Sequence, residues 1–280
     1  TAVSSTDPTT VDAYASFVTP LSSKIALQAG HYRLVSALAG FKSNQGVNKA
    51  LTIYSGNTAY PGWETYDANS AKQIFHLTYE SSAWHLQNVS NGKYLVVPNE
   101  YNWITFSDSG TGLTMWDFGS SMYSIGLSTD RSIHAYNHNS GVVDGDKGNE
   151  GMLVAYANNE YPSLWYLEKV TLPTITMISP SAVDAESDVY MSYANNTGAD
   201  KQMPAGVTVY KVLTGGTKSD VTLTEVTSKV VPDGEGVILK ATKGATIPLL
   251  PTTTAEALTG NMLEAGDGSA VSGYLLAYQN

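Results

Sequence analysis

Between Ile25 and Val170 the hydrophobic pattern consists of short alternating runs broken by turn residues, which predicts strands. His31-Tyr-Arg-Leu-Val-Ser36 alternates and is followed by the turn Ala39-Gly40. Asn91-Gly92 is a tight-turn pair between the runs 84–89 and 93–97, which predicts a hairpin. Ahead of this region, Tyr14, Phe17, Val18 and Leu21 fall on one face at helical spacing, with Asp12 placed to cap. Pro20 cuts that pattern, so residues 1–25 are expected to be a linker carrying a short or kinked helix.

The alternating region repeats itself. Three aromatic-x-aliphatic starts, Tyr32-Arg33-Leu34, Trp84-His85-Leu86 and Tyr123-Ser124-Ile125, lie 52 and then 39 residues apart (from 32 to 84 to 123). Each is followed by a cluster with a large aromatic among apolar neighbours: Gln73-Ile74-Phe75-His76-Leu77, Thr114-Met115-Trp116-Asp117-Phe118 and Ser163-Leu164-Trp165-Tyr166-Leu167. Self-similarity at about 40–50 residues in a β-rich region predicts a threefold barrel-and-cap arrangement with one shared core. Phe75, Trp116 and Trp165 are then core residues at equivalent places, each contributing about 2–3 kcal/mol by burial.

These clusters resemble the repeats of ricin-type β-trefoil lectins, which end in Gln-x-Trp. Gln73-Ile74-Phe75 has Phe for the Trp; Thr114-Met115-Trp116 and Ser163-Leu164-Trp165 keep the Trp and lose the Gln. The stretch Ile133 to Val170 is similar to trefoils of large secreted Bacteroidetes proteins. The resemblance covers residues 26–170 and implies an all-β fold and sugar binding.

After Leu172-Pro173 the aromatic usage changes. Every Trp, Phe and His precedes that point, and only Tyr190, Tyr193, Tyr210, Tyr274 and Tyr278 follow it. Runs 206–212, 220–226 and 236–240 alternate, separated by Gly215-Gly216 and Pro232-Asp233-Gly234. The expected organisation is a trefoil over 26–171 and an antiparallel, β-sandwich-like domain over 172–280. The second part resembles a β module of secreted Bacteroidetes proteins. The strand-like run in Tyr274–Asn280 comes so near the last residue that the module's completeness is open.

Composition narrows the function. Charged residues are only 14%, and the net charge is −10, which argues against nucleic acid or anionic lipid as partner. No apolar run is long enough for membrane insertion as a helix. The absence of Cys excludes disulfides, thiolate metal sites and cysteine nucleophiles. The first residue is not Met and no leader is visible, so a secreted or surface protein with its leader removed, or a slice of a longer chain with further domains, is expected.

A saccharide presents a CH-rich face and a rim of hydroxyls, and needs an aromatic plate beside Asp, Asn or Gln. In the resembling family each repeat can supply an acid or amide, an aromatic, and an Asn ahead of its closing signature. By that resemblance the first repeat offers Tyr60, Trp63, Asp67 and Asn69; the second Asn88, Tyr101 and Trp103; the third Asp130, Tyr156, Asn158 and Asn159. No repeat carries the full set in one register.

Asp144-Gly-Asp146-Lys-Gly-Asn149-Glu150 partly matches a calcium loop but has Gly148 where an oxygen ligand is wanted, so it is read as a solvated turn. His134 and His138 lie on a strand-and-turn run that would hold them about 13 Å apart, too far for one metal. They are expected at the surface or the rim of the core. No catalytic motif is present. The expectation is therefore a non-catalytic glycan-binding protein without cofactor or metal. The alternatives are a structural or protein-interaction module, or an accessory part of a larger glycoside hydrolase.

Overall fold

A computed structural model of the protein describes residues 19–20, 27–37, 48–135, 151–178, 187–214, 221–254 and 257–266. It divides into two compact units, Thr1–Leu172 and Pro173–Asn280. Both are all-β among the described residues: a β-trefoil, then a β-sandwich-like unit. No helix among these residues is long and apolar enough to cross a membrane.

The first unit opens with a two-residue strand, β1 (Thr19–Pro20). Three four-stranded repeats follow: β2 (Gly30–Ser36), β3 (Lys49–Ile53), β4 (Pro61–Thr65), β5 (Phe75–Glu80); β6 (Ala83–Asn88), β7 (Tyr94–Val96), β8 (Thr105–Ser107), β9 (Thr114–Asp117); β10 (Met122–Ser128), β11 (Arg131–Ala135), β12 (Leu153–Tyr156), β13 (Trp165–Val170). The first and last strands of each repeat form a six-stranded barrel in the order β9-β10-β13-β2-β5-β6. The ring closes at Trp84, which exchanges two backbone hydrogen bonds with Leu113 (2.8 and 2.9 Å). Closure removes the exposed strand edges that an open sheet would leave.

The middle strands of each repeat form hairpins that meet one another as a cap. Trp63 N donates to Gly151 O (2.7 Å), Ile104 N to Leu153 O (2.9 Å) and Phe106 N to Ala59 O (3.3 Å), linking each repeat to both others. The shared core holds Leu34, Phe75, Leu86, Leu95, Leu113, Ile125, Ile133 and Trp165. Trp165 donates its indole N–H to Ile133 O (2.9 Å), so its one polar atom is satisfied inside the core.

Register corrects one expectation. Tyr32 pairs with Phe75, Tyr123 with Trp165, and Trp84 with Leu113. The second repeat's closing position is thus Thr111-Gly112-Leu113, and Trp116 lies three residues beyond it. Trp116 is buried in a separate cluster with Ala37, Phe118, Met122 and Leu164. The sequence pattern took the largest side chain for the barrel position, whereas Leu113 fills it. Pro20, expected to cut the helical pattern ahead of the trefoil, lies in a strand: Thr19 pairs with Asp117 and Pro20 with Trp116. Pro tolerates this place because an edge position needs no N–H from it. The rest of that helical pattern lies outside the described residues.

The second unit comprises β14 (Thr174–Thr176), β15 (Asp188–Ala194), β16 (Lys201–Gln202), β17 (Thr208–Thr214), β18 (Val221–Glu225), β19 (Val230–Val231), β20 (Gly236–Thr242), β21 (Thr246–Pro248) and β22 (Leu250–Pro251). They form sheets β15-β20-β17-β18, β19-β16-β22 and β14-β21, every pairing antiparallel. Alternate residues such as Val189, Val209, Val237 and Leu239 share one core with Val231 and Ile247 from the other sheets and with Met203, just after β16. Buried Asn195 ties this unit together by donating to Ala199 O (3.0 Å) and Val231 O (2.8 Å).

Candidate functional site

The third repeat folds back on itself at a close backbone contact. In the β10–β11 hairpin Gly126 pairs with Ser132 and Ser128 with Arg131, a register shift that bends the strand. A Cβ on Gly126 would lie 2.2 Å from Arg131 O and 2.4 Å from Ser132 Cα, so only glycine permits the bend. The turn that follows presents Asp130 and Arg131. Pairing of Ser132 with Tyr156 places the end of β12 alongside, and Asn158 N donates to Thr129 O (2.7 Å). The expected third-repeat residues Asp130, Tyr156, Asn158 and Asn159 therefore gather around one turn.

Tyr101 joins them from the second repeat. Ala155 N donates to Asn102 O (3.0 Å), and Trp103 bridges to Val154. Tyr101 packs on Tyr156 with ring centres 5.2 Å apart, and remains 48% exposed. The Arg131 guanidinium lies over the Tyr101 ring, its Cζ 3.8 Å from the centroid, and Nη1 donates to Asp130 O. A planar cation stacked on an aromatic face is held with little remaining freedom.

Behind Tyr156 stands His134, 4.9 Å away between ring centres. It is buried, which corrects its expected place at the surface or core rim. Burial lowers its pKa to about 3, so it is neutral at physiological pH. Ser163 Oγ donates to Ala157 O (2.6 Å), which leaves Oγ to accept from His134 Nδ1 (2.9 Å). The His134–Ser163 pair is thus a strut that braces the wall under Tyr156.

Two buried donors at this corner lack an acceptor: Arg131 Nε and Asn158 Nδ2, the latter on a residue only 4% exposed. Among the described residues the other unpartnered buried side-chain atoms are Arg33 Nε and Ser124 Oγ. Buried donors normally find acceptors, so two unpaired at one turn, beside an exposed aromatic, set this corner apart among the described residues.

The other candidates lie elsewhere. Trp63 is 7% exposed and belongs to the core, with Lys49 Nζ 5.7 Å above its ring. Tyr60 is half-buried, and its carbonyl accepts from Tyr54 N (3.0 Å). Asp67 accepts from Asn69 N (2.9 Å), and its own N donates to Gln73 Oε1 (2.8 Å), holding the turn ahead of β5. Asn88 is fully buried; it donates to Lys72 O (2.7 Å) and accepts from Ser90 N (3.0 Å). Trp103 is half-buried in the cap. Sequence reasoning missed Arg131, although it begins the repeat's second strand as Lys49 and Lys93 begin theirs, or lie just before it. The Asp144–Glu150 turn and His138 lie outside the described residues. Among the described residues no three His, Asp or Glu side chains are grouped to hold a metal.

No protein-family model and no curated protein matches the sequence. Among solved structures, the chain is similar to a ricin B-like lectin of Macrolepiota procera in complex with lactose (14% identity, TM-score 0.42), covering 52% of this chain and all of that one. The Rhizoctonia solani agglutinin gives 19% identity and a TM-score of 0.41, covering 53% of this chain and all of that one. An exo-β-1,3-galactanase of Clostridium thermocellum, 1,3Gal43A, gives 21% identity and a TM-score of 0.38, covering 53% of this chain and 32% of that one.

Proposed function

We propose that the first unit binds a saccharide at the corner formed by Tyr101, Arg131, Tyr156 and Asn158, and that it does so without catalysis. The observation that carries this reading is the pair of acceptor-less buried donors beside the exposed Tyr101 ring. Tyr101 offers a plate for the CH face of a sugar, and exposed Asp130 and Asn159 offer groups for its hydroxyls. The ricin-type signatures in the sequence support the same reading. One such site binds weakly, on the order of mM to µM, and gains strength when several act together. A secreted or cell-surface setting is part of the proposal, as is attachment to further domains of a longer chain.

A glycan array followed by calorimetry tests it. Tyr101→Ala is expected to weaken binding roughly tenfold, with the fold retained because the ring is half exposed. An array with no positive glycan would sink the proposal. It would favour the structural reading, which the buried Trp63 and Asn88 already support for the first two repeats.

A further inference from the structure

We infer that this site selects acidic saccharides, those bearing a carboxylate, and that Arg131 is the residue that selects them. The inference rests on the saccharide reading above and narrows it.

The three repeats set a cation at one equivalent place. Lys49 pairs directly with Thr65. The pairing of Tyr94 with Ser107 puts Lys93 opposite Asp108, and that of Ser132 with Tyr156 puts Arg131 opposite Ala157. In the second repeat the counter-charge is built in, since Lys93 forms an ion pair with Asp108. In the third repeat a methyl group stands where that carboxylate would be. No described carboxylate lies within ion-pair distance of Arg131.

The guanidinium is nevertheless fixed in place. Its face is covered by Tyr101 and one N–H is used by Asp130 O, while Nε is buried with no acceptor. With Nε occluded and one Nη1 N–H donated to Asp130 O, the remaining Nη1 and Nη2 N–H groups are the ones a carboxylate can meet, and a charge-assisted hydrogen bond of this kind is about twice as strong as a neutral one. The first repeat does not reproduce the arrangement, because Lys49 lies over a buried ring, Trp63, rather than an exposed one. Exposed Asp130, and Glu100 and Glu160 next in sequence to site residues, carry charge of the ligand's own sign. Their exposure to water weakens this repulsion, while the ligand carboxylate meets the Arg131 guanidinium directly.

The test measures dissociation constants for oligosaccharide pairs that differ only in a terminal hexuronate or hexose: glucuronate against glucose, and galacturonate against galactose. The wild-type chain is expected to favour the hexuronate member at least about tenfold, and this preference alone should shrink as salt is raised. In Arg131→Gln the ratio falls toward one, and Arg131→Lys restores part of it. Ala157→Asp gives Arg131 the internal partner that Lys93 has, and should lower the ratio toward one as Arg131→Gln does. Equal or better binding of the hexose members by the wild-type chain overturns the inference and leaves the saccharide reading standing. Absence of any glycan from the array overturns both.

Discussion

Gly126 shows how one residue positions the site. Gly126→Ala drives a methyl into backbone atoms that cannot rotate away, so the β10 bend must open. The expected loss is about 1–3 kcal/mol, read as a lowered urea midpoint, together with loss of glycan binding; an unchanged midpoint would contradict the close approach. His134 gives a second expectation. Its folded pKa lies below its unfolded value, so its neutral form stabilises the fold fully above pH 6.5. That contribution is lost as pH falls from 6.5 toward 3. Half-buried His31 and His76, stacked 4.9 Å apart, are also lowered, chiefly by burial, and act with the same sign. In a proton NMR titration the His134 ring should keep its neutral shifts until pH approaches 3. A midpoint near 6.5 would mean that the ring is solvated.

Among the elements, the hairpin between β5 and β6 is tight and unusually made. Glu80 pairs with Ala83, leaving Ser81 and Ser82 as a two-residue turn with φ of 50° and 66°. Such turns favour Asn-Gly, because other residues with a Cβ are strained at positive φ. Ser81→Asn with Ser82→Gly should stabilise by about 1 kcal/mol, seen as a higher melting temperature in calorimetry. Leu113→Ala should cost about 2–5 kcal/mol, because Leu113 holds the barrel-closing position. These elements also show what could be read from sequence. Tyr32, Phe75, Trp84, Tyr123 and Trp165 announced the repeat because large aromatics among apolar neighbours stand out when they recur about every 40–50 residues. Leu113 did not, since one leucine among many carries no signature, and a buried Trp116 nearby satisfied the same pattern. The third-repeat residues were nameable because the family resemblance points to an acid early in a repeat and to an aromatic and Asn late in it, and the β11–β12 pairing brings those ends together. Tyr101's move into that cluster was not, because it depends on the hairpins of two repeats meeting, which local alternation does not encode. Arg131 was missed because a lone cation at a strand start looks like ordinary surface.

For the whole molecule, 25 acidic against 15 basic side chains leave a net charge of −10. Mutual repulsion keeps copies apart at neutral pH. Solubility should be lowest at about pH 4–5, where the carboxylates titrate and the charges balance; light scattering across pH checks this. The absence of Cys means that a reducing agent should leave the melting temperature unchanged.

The pairing of β13 with β2 joins Trp165 to Ser36 and Val170 to His31. A nascent chain emerging from the ribosome therefore cannot complete its first strand's partnerships until residue 170 has cleared the exit tunnel. Until then β2 and the hairpins waiting for their third companion present unmatched backbone. Such late, distant closure is slow, and it makes the interval of synthesis between the first and third repeats the time when this protein depends most on chaperones.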